Sequence, residues 1–323
     1  MTVTVLRTAD AWWVQTPAGA ARIDTNATTT AELLAVRPAI DAAYRNSKVV
    51  PISELAPELV PVSELTLVSP VTAPCRVVAQ MTNFASHVKD SGGDPESVPL
   101  TFFRKTSGSV SGPYDDVIRP ENVRLLDYEV EIGLVFGQAM PVGSHIEAAN
   151  LADYIAGLVV TNDISARDVQ LPKTQFYEGK SYPTFTPVGP ALVLMDADEL
   201  KRFDELRLRL WVNGDTRQDM TVADMIFKPV ETLRSLTRFQ RMDAGDLLLT
   251  GTPIGTALSA PPKPVEMIGS LLPPKLKWKI FFDRQAKNPK YLHDGDLIEV
   301  SIGTDDGAID LGTQRTTVRD ALR

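Results

Sequence analysis

Proline and glycine set the first limit on this chain. Its 323 residues include 24 prolines and 20 glycines. Between them lie short β-branched runs at 130–136, 155–160, 191–194, 206–212, 247–249 and 297–302. Proline cannot continue a helix or donate to the interior of a sheet, so short apolar runs bounded by Pro and Gly read as strands. The expectation is an α+β, strand-dominated fold.

At roughly 150 residues per domain, this length suggests two domains or one large domain with an appendage. Residues 1–72 read as a small N-terminal domain. It has strand-like runs at 3–7 and 12–15, then a helix that starts near Thr30 as its N-cap, with Glu32 in the first turn, where the helix dipole favours an acid. Pro51, Pro57, Pro61, Pro70 and Pro74 follow, too close together for long elements. Residues 73–323 form the larger domain. Within it, Asn213-Gly214 after the alternating RLRLWV predicts a tight hairpin. A helix is expected from Thr221, with Asp224 at N3, kinked by Pro229. In the segment 261–290, Leu276, Trp278 and Ile280 alternate with Lys275, Lys277 and Lys279, which predicts a half-buried strand whose lysine face is solvated, protects an edge or binds anions. No G-x-G-x-x-G follows a strand, so a Rossmann dinucleotide domain is not expected.

The 41 acidic and 33 basic residues give a net charge of −8, which opposes attraction to nucleic acid or anionic lipid. The longest apolar runs fall far short of the ~20 residues that span a bilayer. The amino terminus lacks the basic and apolar regions of a secretory signal, and a cytoplasmic protein is expected. Cys75, the sole cysteine, excludes a thiol pair and reads as an inert, buried thiol. A small-molecule substrate is the expectation that remains.

The segment DYEVEIG carries most of the chemistry. Period-two alternation puts Asp127, Glu129 and Glu131 on one face. Such a face is either solvated or a pair of hard oxygen ligands for a divalent cation, which would relieve repulsion between adjacent carboxylates. Asp163, after the apolar run IAGLVVTN, offers a third acid at a strand end. Three carboxylates suit Mg²⁺ or Mn²⁺ better than Zn²⁺. Arg167 and Gln170 follow Asp163 at i+4 and i+7, the spacing of one helix side. In NFASHVKDSGG, Asp90 stands three residues after His87 and could orient the imidazole as a base on water, with Gly92-Gly93 allowing a loop to close. Lys180, between aromatics and prolines, could stabilise an enolate or carboxylate oxygen. The LLLTGTPIG turn could bring backbone N–H groups and Thr252 to a substrate carboxylate. His145 and His293 have no comparable setting.

These segments, in order, resemble the fumarylacetoacetate hydrolase superfamily: NFASH, FFRK, DYEVEIGLV, TNDISARDVQ, GKSYPTFTPVGP, LLLTGTPIG and DGDLIEVSI. The resemblance implies a mixed β-roll, commonly dimeric. Glu129, Glu131 and Asp163 would hold Mg²⁺ beside Lys180, with His87 and Asp90 on a short lid helix. Lys105, Arg167, Gln170 and Thr252 would contact the substrate. Asp90 stands where Glu is frequent, Thr106 follows Lys105 where Pro is frequent, and 261–290 is an insertion. The expected activity is hydrolysis of a carbon-carbon bond in a small 2-oxo acid of the acylpyruvate or fumarylpyruvate type. Its alternatives are isomerisation or decarboxylation of 2-hydroxyhepta-2,4-diene-1,7-dioate or oxaloacetate-like substrates, and non-catalytic dicarboxylate binding.

Overall fold

A computed structural model describes residues 2–47, 59–259 and 272–321. Among them a nine-stranded mixed sheet runs in the order Gly19–Arg22, Trp12–Thr16, Val3–Arg7, Leu192–Leu194, Ile155–Asn162, Val130–Phe136, Leu247–Leu249, Val77–Met81 and Thr101–Lys105. A second sheet has five strands: Asp215–Thr221, Leu206–Val212, Leu297–Thr304, Asp310–Asp320 and Val117–Arg119. The strand-dominated expectation holds, and the first three strands extend the large sheet through pairing of Val3–Arg7 with Leu192–Leu194.

Alternation decides how the two sheets meet. Leu206, Leu208, Leu210 and Val212 are buried, while the residues between them are half-exposed, and Leu297–Thr304 alternates likewise. These inward side chains join Val130, Ile132 and Leu134 of the large sheet in one core. Each such burial contributes roughly 1.5–3 kcal/mol. On the other face of the large sheet, Val135, Val159, Leu247 and Leu249 pack with Leu33 and Ile40 from the helices Thr30–Ala35 and Arg37–Ser47. The strand Val130–Phe136 is therefore buried on both faces, which rules out a solvated Glu-x-Glu face.

The Asn213-Gly214 hairpin forms as expected, with φ of 53° and 83° at its two turn residues. Other local expectations need correction. Thr29, not Thr30, caps the first helix: its side chain accepts from the Glu32 amide, and Glu32 accepts from the Thr29 amide at 3.1 Å. Thr30 is used elsewhere, donating its amide to the Thr72 hydroxyl at 2.9 Å and its hydroxyl to the Pro70 carbonyl at 2.8 Å. Thr221 leads only a 3-10 turn, Val222–Asp224, and the α-helix Pro229–Leu236 begins at Pro229 instead of being kinked by it, because proline fits a first helical turn.

The lysine-rich segment is an α-helix, Pro274–Gln285, not a strand. Pro274 stands at its start. The spacing of Trp278, Phe281, Phe282 and Gln285 is helical, and it outweighs the period-two pattern of Lys275, Lys277 and Lys279. Trp278 stacks on Phe282 at 5.4 Å, and Gln285 donates to the Ser259 carbonyl at 2.8 Å. Residues 261–271 of the expected insertion, with Pro51 and Pro57, lie outside the described residues. No helix among the described residues is long and apolar enough to cross a membrane.

Gly157 faces the neighbouring strand so closely that an added Cβ would lie 2.3 Å from the Val193 carbonyl oxygen. Backbone cannot yield as a side chain does, so Gly157→Ala should cost about 2 kcal/mol. A lowered urea midpoint with an unchanged m-value checks this.

Candidate active site

The site follows from strand register. Ile155–Asn162 pairs antiparallel with Val130–Phe136, Thr161 opposite Glu131 and Asn162 opposite Val130. Asp163, the next residue, therefore comes level with Glu129, and its amide donates to the Glu129 carbonyl at 2.8 Å. Glu129, Glu131 and Asp163 are all buried, each offering an oxygen within 4.8 Å of the others. Asp127 does not continue their strand. It lies in the two-residue strand Leu126–Asp127, paired with Ser165–Ala166, and its carboxylate accepts from the amides of Tyr128, Ala257 and Leu258.

Three buried cations share this cluster. Arg167 donates Nε to Asp127 at 2.8 Å, Nη2 to Glu129, and Nη1 to the Gln170 amide oxygen at 3.0 Å. Lys180 donates to Glu129 Oε2 and Asp163 Oδ2, each at 2.7 Å. Lys105 donates to Asp163 and to the Phe185 carbonyl, the latter at 2.8 Å. Burial alone would raise the Glu129 pKa, but Arg167 and Lys180 outweigh it and bring it down to about 2. Burial would lower Lys180, yet Asp163 and Glu129 hold it above the usual lysine value. Lys105 falls below that value because its burial outweighs the attraction of Asp163.

Glu131 differs from its neighbours. Its hydrogen-bond donor is the Gly251 amide, 2.6 Å from Oε2, and no ion pair among the described residues reaches it. Burial, Asp163 and Glu129 together push its carboxyl well above the usual range. A cluster of buried oxygen donors with one carboxylate short of positive charge fits a hard divalent cation, which prefers oxygen ligands. Glu129, Glu131 and Asp163 are the residues that could hold it.

The cavity beside this cluster, about 190 Å³, is lined by His87, Glu129, Glu131, Arg167, Gln170, Lys180 and Thr252 among others. Most of the residues expected from sequence are thus brought together, with four differences. Lys105 does not line the cavity; it lies behind Asp163 and braces that carboxylate, so substrate contact is not its position. Arg167 and Gln170 belong to a short helix, Arg167–Gln170, that starts after Asp163, so the i+4 and i+7 spacing is not what gathers them. The Gly251 amide serves Glu131, and Thr252 accepts from Gln218 Nε2 at 2.8 Å. Finally, His87 and Asp90 form no hydrogen-bonded dyad. Asp90 is exposed, and the buried His87 Nδ1 has no hydrogen-bond partner. Burial lowers the His87 pKa, and the upward pull of Asp90 is the weakest influence on it, not the deciding one. His145 and His293 are exposed, as expected, and burial raises the Cys75 thiol to about 12.

Three residues that matter were not singled out for the site. Asp224 accepts from the Ser86 amide at 2.9 Å, capping the His87 helix, Ala85–Asp90, from 138 residues away. Asn83 ties the start of that helix to Phe227 and to the Thr250 carbonyl, at 2.8 Å in each case. Gln218 accepts from the Val130 amide at 3.0 Å and holds Thr252, so the hairpin braces the acid-bearing strand. Asp224 was visible in sequence as a capping acid, although for a different helix. Nothing local marked the long-range partners of Asn83 and Gln218.

Residues 76–319 match the family described as fumarylacetoacetate (FAA) hydrolase C-terminal. The chain belongs to that family. It is 36% identical over 205 residues to a rat protein named oxaloacetate tautomerase Fahd2a, mitochondrial, a match covering 63% of this chain and 64% of that one. It is 31% identical over 257 residues to the Bacillus subtilis oxaloacetate tautomerase YisK, covering 78% and 74% of the two chains. A solved structure described as a probable 2-hydroxyhepta-2,4-diene-1,7-dioate isomerase from Mycobacterium abscessus superposes over the whole of both chains, with a TM-score of 0.74 and 29% identity. The chain spans about two thirds or less of the length of the mammalian relatives it matches. The printed names of these relatives and of this neighbour are those of tautomerases and an isomerase.

Because Asp224 anchors the His87 helix, Asp224→Ala should cost about 1 kcal/mol, the usual loss for a removed cap. It should also lower kcat more than Asp198→Ala, a change at an exposed acid. Equal kcat in the two variants would show that the cap does not position His87.

Proposed function

We propose that this protein is a metal-dependent tautomerase or isomerase that interconverts the keto and enol forms of a small 2-oxo acid. One observation carries the reading: His87 lines the cavity beside Lys180 and the acid cluster without the carboxylate partner that water activation through a dyad requires. Enolisation needs a base for the C3 proton and a sink for the negative charge that develops on the C2 oxygen. It needs no attacking water.

A divalent cation on Glu129, Glu131 and Asp163, Mg²⁺ or Mn²⁺ by its donor set, would supply Lewis-acid polarisation of the oxo acid. The chain's own residues do the rest. His87, kept neutral by burial, takes the C3 proton, the C2 oxygen takes a proton from solvent to complete the enol while the imidazolium releases its own, and the reverse path runs through the same atoms. Lys180 holds positive charge next to the developing enolate, preorganised by its two carboxylate partners. Gln170 and Thr252 offer hydrogen bonds to the acid end. Arg167 is committed to Asp127 and Glu129, so it orients that wall more than it binds. The names of the rat and Bacillus relatives support tautomerisation, and the rat name also supports a mitochondrial setting beside the cytoplasmic one expected from sequence.

Lys180→Met keeps length and removes charge, so kcat for enol decay, followed by ultraviolet absorbance, should fall about 10²-fold. Glu131→Gln should weaken Mg²⁺ binding in calorimetry; unchanged affinity would remove Glu131 from the ligand set. Asp90→Asn separates the two chemistries. Water activation through a dyad loses at least tenfold, whereas proton transfer by His87 alone changes little. Since His87 must be neutral and its pKa lies below the usual 6.5, kcat/KM should stay level as pH falls to that value and decline only at more acid pH. An acid limb centred above pH 6.5 would contradict this assignment.

A further inference from the structure

Building on the enolisation reading, we propose that the substrate's tail is apolar: the protein takes 2-oxo acids whose C3 carries an alkyl or aryl group instead of a second carboxylate. The cavity lining combines charged groups with a set of large apolar side chains. Beside the charged groups its wall includes Met81, Phe103, Leu171, Phe176 and Leu258, with Gln80, Thr82 and Ser91 as uncharged polar members. Register puts two of these on the acid-bearing face. Leu249 lies between Gly133 and Ala79, and Ala79 pairs with Phe103. Met81 and Glu131 stand two residues from Ala79 and Gly133, so Met81, Phe103 and Glu131 share one side of the sheet. Phe176 meets Phe103 edge-on, with ring centres 5.7 Å apart and planes at 69°.

The charge inventory agrees. Among the described residues, Arg167 and Lys180 are the only Lys or Arg side chains lining the cavity, and each already lies between two carboxylates. Lys180 also sits over the Phe103 ring, 5.5 Å from its centre. A carboxylate directed at the Phe103–Phe176 wall would meet no free cation, and unpaired charge at a half-buried apolar surface is strongly disfavoured. An alkyl or aryl group would exchange water for aromatic contact.

Binding calorimetry in Mg²⁺ with matched oxo-acid mimics tests this without turnover. N-phenyloxamate and N-oxalylglycine share the head that a 2-oxo acid presents and differ in an apolar or anionic tail. N-phenyloxamate should bind at least tenfold tighter, and Phe176→Arg should shrink or reverse that ratio. Equal affinities, tighter binding of N-oxalylglycine, binding of neither, or a ratio unmoved by Phe176→Arg would overturn the proposal. Oxalate, which has a head and no tail, reports on the underlying reading separately. Failure of Mg²⁺-dependent oxalate binding counts against the cation site, whatever the order of the tailed pair.

Discussion

Seven ionisable side chains meet in one buried cluster: Asp127, Glu129, Glu131 and Asp163 against Lys105, Arg167 and Lys180. All seven are at most 7% exposed. Taking such groups out of water costs several kcal/mol each unless they are paired and fully hydrogen-bonded. Six of them answer that requirement in pairs and bridges, while Glu131 has a backbone amide alone. The cluster is thus held together by its charges and left one positive charge short at a single carboxylate. Burial also strengthens the electrostatic interactions a substrate would make there.

Much of this arrangement could be read from the chain. The acids Glu129, Glu131 and Asp163 were found because alternation and a strand end are local signals, and the strands that carry them formed at the expected positions. Lys180 is buried, as neighbours too apolar and too rich in proline for a solvated lysine implied. Lys105 and Asp90 were misjudged for a shared reason. Whether a side chain faces a cavity, lies behind another residue or points to solvent depends on the strand or helix packed against it, and chain spacing does not report that. The segment 274–285 shows the opposite failure. Six alternating residues imitate a strand, but the helical repeat appears only when Phe281, Phe282 and Gln285 are counted with them.

The His87 helix illustrates how the fold limits motion at the site. Gly92-Gly93 after it suggested a freely closing loop, yet its first turn is capped by Asp224 and its entry is fixed by Asn83. Thr82, immediately before, has a φ of 49°, an uncommon value for a β-branched residue. Backbone held in that region at the mouth of a cavity is maintained by surrounding contacts, here the Asn83 bonds to Phe227 and Thr250. His87 is presented by a fixed turn, which would suit the proposed proton transfer, since that depends on distance more than on enclosure.

Those anchors are also long-range. Asp224 reaches Ser86 across 138 residues, Asn83 reaches Phe227 across 144, Gly251 reaches Glu131 across 120, and Gln218 reaches Val130 across 88. Loop-closure entropy must be met before such contacts form, so a site built this way assembles with the two sheets and not before them. The hairpin Leu206–Thr221 cannot be regarded as a remote appendage of the chemistry: through Gln218 it holds both the acid-bearing strand and Thr252. Substitutions that loosen the packing of the two sheets should therefore reach the cavity through this glutamine, because its three hydrogen bonds are shared between the strand, the Thr252 hydroxyl and the Pro253 carbonyl.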